Sequence, residues 1–451
     1  RKLPDDLSKY KLICQCGGLS FILVYLLIIL FICNPLMVSE IALGRTSKSN
    51  FVDAYRVIGA KIGMKYLGVW SFFGGWMAFI GLSMIISFYF LVAGWVLYYL
   101  LEALSGNLLQ IAPDKLSDTF TALTHSFSIQ YVCGLIFMFV TALIVIAGVK
   151  KGIEKAGIVL MPILFGIMLI LCVQSVSLEG ADKGVKFLLT PDWHYLGFTD
   201  EGFKWSVLFD TFLAALGQAF ISLSLGFGTL LVYGSYFSPK ENLFKSVRSI
   251  EIFDTLAAVL SAVIILPAVF AAGLSSTSGP GLTFISLPFV FQQLSGSLFW
   301  SVAFYLLLTL ATITSTISIF EAMTNLFMDK LHLNRFNGVL VVMCLSCLGF
   351  TAVTASYSGV WDIQIAQRNI FELFDWISST FTTAIVSMTM ALFVGYSAMK
   401  AIIHNIRKSA VVSSAFTRYF LVTLRVFAPL SLGLLLCVAL YNAFSVYLFQ
   451  S

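Results

Sequence analysis

Two clusters of small polar residues interrupt long apolar stretches of this 451-residue chain. The first lies in LGQAFISLSLGFGTLLVYGSY and contains Gln218, Ser222, Ser224, Gly226 and Gly228. Two glycines and two serines within seven residues weaken a helix at a depth where lipid demands satisfied backbone groups. We therefore predict a broken helix whose free backbone groups bind a solute. Close packing of helices through small residues is the alternative interpretation.

The second cluster lies in LTLATITSTISIFEAM and places five hydroxyl groups around the helix, on Thr312, Thr314, Ser315, Thr316 and Ser318. Such hydroxyls can simply donate back to the carbonyl four residues earlier. Helical spacing nevertheless puts Ala311, Thr314 and Ser315 on one face. Carbonyl and hydroxyl oxygens are the ligands that a hard cation such as sodium prefers. Two such clusters at membrane depth indicate a solute site and an ion site.

The composition sets the class of protein that carries these clusters. Apolar residues make up 59% of the chain and charged residues 11%, whereas a soluble domain carries roughly 25% charged residues. This excludes a nucleic-acid-binding protein, a soluble nucleotide-binding enzyme and a disulfide-stapled secreted domain. Catalytic motifs are missing, and the four histidines fall in connectors or at span ends, so we expect no enzyme. The chain is interpreted as a multi-pass protein of the plasma or inner membrane.

Hydropathy predicts ten transmembrane spans. They run near 20–42, 67–102, 130–149, 156–175, 206–236, 246–273, 297–328, 337–355, 373–398 and 419–448. Connectors after odd-numbered spans hold 17 basic residues and the alternate connectors hold five, which places the former set in the cytoplasm. This topology puts the basic tail Arg1–Leu12 outside the cell. A basic segment crosses the membrane unfavourably unless an earlier helix carries it across. We therefore expect at least one span upstream of Cys14.

Ordered motifs along the chain resemble those of the neurotransmitter:sodium symporter family, which has the fold of the bacterial leucine transporter. The resemblance covers about residues 17–450. It is carried by NPLMVSEIALGR (34–45), IISFYFLVAGWVLYYL (85–100), GVKKGIEKAGIVLMPILF (148–165), GVKFLLTPDW (184–193), GQAFISLSLGFG (217–228), GPGLTFISLPFVF (279–291) and ATITSTISI (311–319). The family's unwound first helix has no counterpart in this sequence, in agreement with the topology.

The resemblance implies an all-α polytopic membrane protein with about ten transmembrane helices in one transporter domain, residues 1–451. Its bundle would consist of inverted five-helix repeats with the first helix missing. Residues 13–175 would form the remaining four helices of the first repeat and residues 206–400 the second repeat. Residues 417–449 would form one additional C-terminal helix.

The resemblance also assigns site residues. Those around the substrate would be Ile85, Tyr89, Ile221, Ser222, Ser224, Phe227, Ser315 and Ile319. Tyr89 would donate to a substrate carboxylate, and Phe227 would close over it. One sodium ion would bind Ser222 and Asp254. The other would bind Ala311, Thr314 and Ser315.

Three positions, Tyr25, Gln218 and Ser222, match the family's chloride site. An ionised Asp254 would make chloride redundant by charge balance, so we expect no chloride requirement. The gate residues would be Tyr89, Phe227 and Asp375 on the outside and Tyr236 with Asp329 on the inside. An ordinary solvated charge is the alternative interpretation of Asp329.

The function implied is sodium-coupled symport of a small molecule, by alternating access between the two sides of the bilayer. The apolar pocket residues favour an apolar or aromatic amino acid. The alternatives are a truncated, non-transporting family member and a symporter of monoamines or other small solutes. An unrelated proton-coupled carrier would need a titratable group at the bilayer centre, where Asp254 is the main candidate.

Overall fold

The computed structural model describes residues 18–199, 201–271, 281–365 and 367–448. Ten of its helices are long and apolar enough to cross a membrane, and each corresponds to a predicted span. We call them the first to tenth spans in chain order. They are Leu19–Ser47, Leu67–Leu104, Phe127–Ile146, Lys151–Val176, Trp205–Ser222, Leu243–Ala271, Ser297–Leu331, Arg335–Tyr357, Ile370–Arg407 and Ser414–Tyr441. The expected tail Arg1–Leu12 lies outside the described residues.

Shorter elements connect the spans. The helices are Ala54–Lys61, Leu116–His125, Asp182–Leu189, Thr229–Tyr236 and Leu287–Gln292, and the two strands are β1 (Phe198–Thr199) and β2 (Gly202–Phe203). The strands pair antiparallel. This small hairpin and two isolated β-bridges, Gly18 with Pro191 and Ile365 with Arg368, are the departures from the all-α class in the part of the chain that the structure describes.

The second span is the structural centre of the bundle. It packs against the third, seventh and eighth spans. Trp95 is fully buried, and its indole Nε1 donates to Oε1 of Gln130 on the third span at 2.7 Å. A buried tryptophan needs such a partner for its N–H group, so this bond orients the ring inside an otherwise apolar core.

The first span contains a π-helical turn, Ile29–Cys33, just before Pro35. A π turn frees backbone carbonyls from regular α-helical bonding. The Tyr419 hydroxyl of the tenth span donates to the carbonyls of Leu30 and Phe31 at 2.7 and 3.2 Å. The tenth span therefore supplies the donor that this turn needs within an apolar environment.

The fifth span ends at Ser222, and a second helix, Thr229–Tyr236, begins seven residues further on, after an unwound segment of six residues. Ser224, Gly226 and Gly228 have φ values of 53°, 77° and 76°. This left-handed region is open to glycine at little cost and opposes a right-handed helix. The prediction of a broken helix is therefore confirmed.

Small residues also hold the short helix Thr229–Tyr236 against the first span. A Cβ atom added to Gly44 would lie 1.8 Å from the Leu231 carbonyl oxygen, and one added to Gly234 would lie 2.3 Å from that of Ile41. Backbone contact this close requires glycine. Both interpretations of the fifth-span region thus apply, to different stretches: unwinding before Thr229 and close packing after it.

Candidate functional site

The unwound segment of the fifth span is anchored by a carboxylate that sequence reasoning overlooked. Glu40 of the first span is 2% exposed, and its two oxygens accept from the N–H groups of Gly226 at 3.4 Å and Gly228 at 3.1 Å. The N–H groups at a helix N-terminus favour a negative charge. A carboxylate inside a membrane span was the available signal, since such residues are rare and usually functional.

A second polar centre forms around Asp254 of the sixth span. Its Oδ2 atom accepts from Ser222 Oγ at 2.6 Å and from the Tyr25 hydroxyl at 3.3 Å. Gln218 is buried one turn before Ser222 in the same helix. The structure therefore brings together residues of the candidate sodium and chloride sites, with a carboxylate among the chloride-like positions.

The seventh span supplies a third group of oxygen atoms. The Ala311 carbonyl oxygen accepts from Thr314 Oγ1 at 2.8 Å and from Ser315 Oγ at 3.3 Å. These are the three residues expected to share one sodium ion, and their oxygens lie within hydrogen-bond distance of one carbonyl. Ser315 is exposed although it lies in the middle of a span. Its hydroxyl is therefore accessible to an ion or solute.

The other hydroxyls of this cluster make structural contacts. Thr312 donates to the Leu308 carbonyl at 2.7 Å, and Thr316 lies 3.0 Å from the Thr141 hydroxyl of the third span. Ser318 accepts from Tyr233 at 3.0 Å. The cluster thus contains Thr312, which bonds within its own helix, Thr316 and Ser318, which contact neighbouring helices, and the accessible Ser315.

The residues expected around the substrate differ in exposure. Ser224 in the unwound segment and Ser315 in the seventh span are exposed, and Phe227 in the unwound segment is buried. The other five are half-buried and lie on three spans: Ile85, Tyr89, Ile221, Ser222 and Ile319. The second and seventh spans pack directly together. This arrangement offers apolar walls with accessible hydroxyls.

The two residues expected at the inner gate, Tyr236 and Asp329, have different partners in the structure. The Tyr236 hydroxyl donates to Glu321 Oε1 at 2.6 Å and accepts from Asn325 Nδ2 at 3.2 Å. Glu321 is 1% exposed and forms an ion pair with Arg335. Glu321 precedes Asp329 by about two helical turns, so Tyr236 bonds to a carboxylate that lies deeper in the seventh span than Asp329.

Asp329 belongs to a separate cluster at the cytoplasmic end. Asn50 Nδ2 donates to Asp329 Oδ2 at 3.0 Å and to Asp53 Oδ2 at 2.9 Å. Lys330 Nζ lies 2.5 Å from Asp53 Oδ1. Burial opposes ionisation of Asp53, but hydrogen bonds from Lys330 and Asn50 outweigh it and hold the pKa of Asp53 below its usual value. Asp329 is exposed and belongs to a polar network with Asn50, so it stays a gate prediction beside the alternative of a solvated charge.

Asp375, the expected outer-gate carboxylate, lies near the start of the ninth span and is buried. Its carbonyl accepts from the Ser378 and Ser379 hydroxyls at 3.1 and 2.6 Å. The helix that ends at Asp375 begins with a capping box in which Asn369 and Glu372 satisfy each other's backbone N–H groups. These bonds fix the start of the ninth span and with it the position of Asp375.

Comparison with known proteins identifies the family. The model of the sodium:neurotransmitter symporter family matches residues 115–450. An uncharacterized sodium-dependent transporter of Bacillus subtilis, YhdH, is 30% identical over 92% of this chain and 88% of its own length. The sodium-dependent serotonin transporter of Drosophila melanogaster is 28% identical over 78% of this chain and 61% of its own length.

A solved structure agrees with this assignment. The crystal structure of MhsT in complex with L-phenylalanine superposes with a TM-score of 0.84 at 31% identity, over 96% of this chain and 94% of that one. The predicted fold class and family are confirmed. The chain belongs to the sodium:neurotransmitter symporter family and is a sodium-dependent, multi-pass membrane transporter.

Proposed function

We propose that this chain is a sodium-coupled symporter of amino acids with apolar or aromatic side chains. The observations that carry the proposal are the break between Ser222 and Thr229 in the fifth span and the exposed hydroxyl of Ser315 in the middle of the seventh span. Unwound backbone at membrane depth is tolerated where it lines a site. MhsT, at 31% identity, has been crystallised with L-phenylalanine.

The substrate would lie between the unwound segment and the second and seventh spans. Its ammonium and carboxylate groups would bind free backbone groups near Ser224, together with the Tyr89 hydroxyl. Its side chain would contact Ile85, Ile221 and Ile319, with Phe227 closing over it. Apolar contact of this kind stabilises binding by about 25 cal/mol per Å² of surface removed from water.

Sodium would bind at two sets of oxygens. Ser222 and Asp254 would contribute to one site and Ala311, Thr314 and Ser315 to the other. Their support is the hydrogen-bond distance between Ser222 and Asp254 and the convergence of two hydroxyls on the Ala311 carbonyl. One charge moved across 100 mV is worth about 2.3 kcal/mol, so coupled sodium ions can drive accumulation.

Chloride would not be required. The Asp254 carboxylate contacts Tyr25 and Ser222, two of the positions that the family uses for chloride. A fixed negative charge there balances sodium without a mobile anion. Replacing chloride with gluconate is expected to leave uptake unchanged, and a loss of uptake would contradict this part of the proposal.

Alternating access would follow from movement around the break. Sodium that binds one conformation better than the other shifts the population toward it and draws the substrate in. On the cytoplasmic side, Tyr236 with Glu321 and Asn50 with Asp329 would hold the pathway shut. Asp375 would belong to the outer gate.

The proposal is tested by uptake of radiolabelled L-phenylalanine into proteoliposomes that contain the purified chain. Accumulation is expected with an inward sodium gradient and not with potassium in its place. Equal uptake in both salts would overturn sodium coupling, and no uptake by folded protein would support a non-transporting form. An excess of serotonin serves as the competitor for the amine alternative, and we expect leucine to compete better.

A further inference from the structure

The sixth span contains a second carboxyl group in addition to Asp254, and the proposed sodium sites do not use it. Glu251 is 9% exposed. Its Oε2 atom accepts from Asn34 Nδ2 of the first span at 3.1 Å. Its Oε1 atom is buried and has no hydrogen-bond partner among the described residues. A buried polar atom without a partner is uncommon and calls for a ligand that completes it.

The ionisable neighbours of Glu251 come from several elements. Arg248 and Asp254 lie three residues before and after it, so all three share one face of the sixth span. Cys33 adjoins Asn34 on the first span. Tyr419 approaches from the tenth span, but its hydroxyl is already donated to carbonyls of the first span. None of these groups is bonded to Oε1.

The fourth span presents apolar side chains to the part of the sixth span that contains Glu251. Phe165 packs on Phe253, with ring centroids 5.7 Å apart. The ionisable residues Glu154 and Lys155 lie about ten residues nearer the cytoplasm, roughly 15 Å along the helix. The fourth span therefore offers Glu251 neither a cation nor a hydrogen-bond donor at its own level.

The chemistry of Glu251 and Asn34 favours a proton as the ligand that Glu251 Oε1 lacks. An ionised carboxylate with a bare oxygen at low dielectric is costly, while a protonated carboxyl is neutral. The Asn34 amide serves both states, because it donates through Nδ2 to a carboxylate and, after rotation, accepts through Oδ1 from a carboxylic acid. A metal ion would need several oxygen ligands, and the described neighbours of Oε1 do not supply them.

Glu251 lies nearer the first residue of the sixth span than its last. The sixth span begins at Leu243 after a connector that carries Lys240, and the basic residues of this connector mark it as cytoplasmic. Glu251 lies eight residues into the helix, roughly 12 Å from its start. Arg248 lies between Glu251 and that end, on the same face.

We infer that Glu251 is a proton-binding site of the transporter, which gains and loses one proton at its carboxyl group through the cytoplasmic side during the transport cycle. The transport aspect of this inference rests on the proposed function; proton binding itself does not. Because the charge between the first and sixth spans changes with each proton, the rate of turnover depends on the internal pH.

Proton binding is tested by infrared difference spectroscopy of the reconstituted full chain between neutral and acidic buffer. The expected result is a carboxylic-acid band that disappears in Glu251→Gln and persists in Glu201→Gln, a matched substitution at an exposed loop glutamate. An unchanged band in Glu251→Gln would overturn the inference. This readout is independent of transport, so its failure and a failure of the proposed function are distinguishable.

Two further measurements keep the test decisive. Should Glu251→Gln fail to fold, Asn34→Ala is expected to shift the frequency of the same band, because the carboxyl loses its hydrogen-bond partner. An unshifted band would contradict the assignment. In proteoliposomes at fixed external pH, uptake by the wild type is expected to vary several-fold with internal pH. Uptake by Glu251→Gln is expected to be independent of internal pH, and the same internal-pH dependence in both would refute a role in the cycle.

Discussion

The unwound segment of the fifth span and the polar cluster of the seventh span look alike in sequence but differ in backbone. The former loses its helix between Ser222 and Thr229. The latter remains helical throughout Ser297–Leu331. Hydroxyl groups in the seventh span donate to carbonyls one turn earlier, as Thr312 does to Leu308. Glycines with positive φ therefore open the backbone, whereas hydroxyls add oxygen ligands to an intact helix.

The largest expected effect on substrate binding comes from replacing Gly226, in the unwound segment of the fifth span, with alanine. In Gly226→Ala, a Cβ atom would lie 2.3 Å from Ser387 Oγ and 2.7 Å from the Thr383 carbonyl oxygen, at a φ of +77°. The left-handed conformation alone costs an alanine about 1–2 kcal/mol. We expect sodium-dependent binding of L-phenylalanine to weaken at least about tenfold, since 1.4 kcal/mol corresponds to that factor.

The matched control for this variant is Gly217→Ala in the same span. Its added Cβ atom meets nothing within 4 Å and its backbone is helical. Binding should therefore be unchanged, and helix propensity favours alanine by about 1 kcal/mol. An equal loss of L-phenylalanine binding in the two variants would show that binding does not depend on the unwound segment.

The next effect concerns the anchor of the unwound segment. Glu40→Gln keeps one acceptor oxygen but loses the charge that faces the N–H groups of Gly226 and Gly228. We expect the free energy of unfolding to fall by about 1–3 kcal/mol. Thermal unfolding in detergent measures this. Glu201→Gln, which removes an exposed ion pair with Lys204, should leave the midpoint nearly unchanged.

A smaller effect separates two hydroxyls within the intact seventh span. Ser315→Ala removes an accessible oxygen and is expected to raise the sodium concentration for half-maximal binding several-fold with little change in stability. Thr316→Ala removes the contact with Thr141 and should instead lower the free energy of unfolding by about 1 kcal/mol. Sodium titrations and thermal unfolding of both variants test the division. Identical behaviour of the two would contradict it.

The smallest effect lies outside both clusters, at Asp53. Its folded-state pKa is lowered, so the ionised form contributes stability above the unfolded-state pKa of about 3.9. That contribution disappears as the pH falls through the folded-state pKa. Asp53→Asn should lower the free energy of unfolding at neutral pH by about 0.5–1 kcal/mol, with no difference at strongly acidic pH. Unfolding midpoints against pH check this, and a difference that persists in acid would be the contrary result.

Much of the fold was predictable because the hydropathy pattern and the basic connectors depend on local sequence. All ten spans were found, and the glycines that open the fifth span were identified by their conformational freedom. Pairings between distant spans were less accessible. The bond between Tyr236 and Glu321 could not be predicted, because the depth at which two helices meet is fixed by packing and not by sequence distance. The partners of Glu40 and Glu251 could not be predicted because each lies far away along the chain, although a carboxylate inside a span was a signal for both residues.

Equilibrium binding of L-phenylalanine to the purified chain, in sodium and in potassium, tests the central claim most directly. The account predicts saturable binding in sodium, little in potassium, and loss of the sodium-dependent part in Gly226→Ala but not in Gly217→Ala. Binding of equal strength in both salts, or sodium-dependent binding that persists in Gly226→Ala, would contradict it.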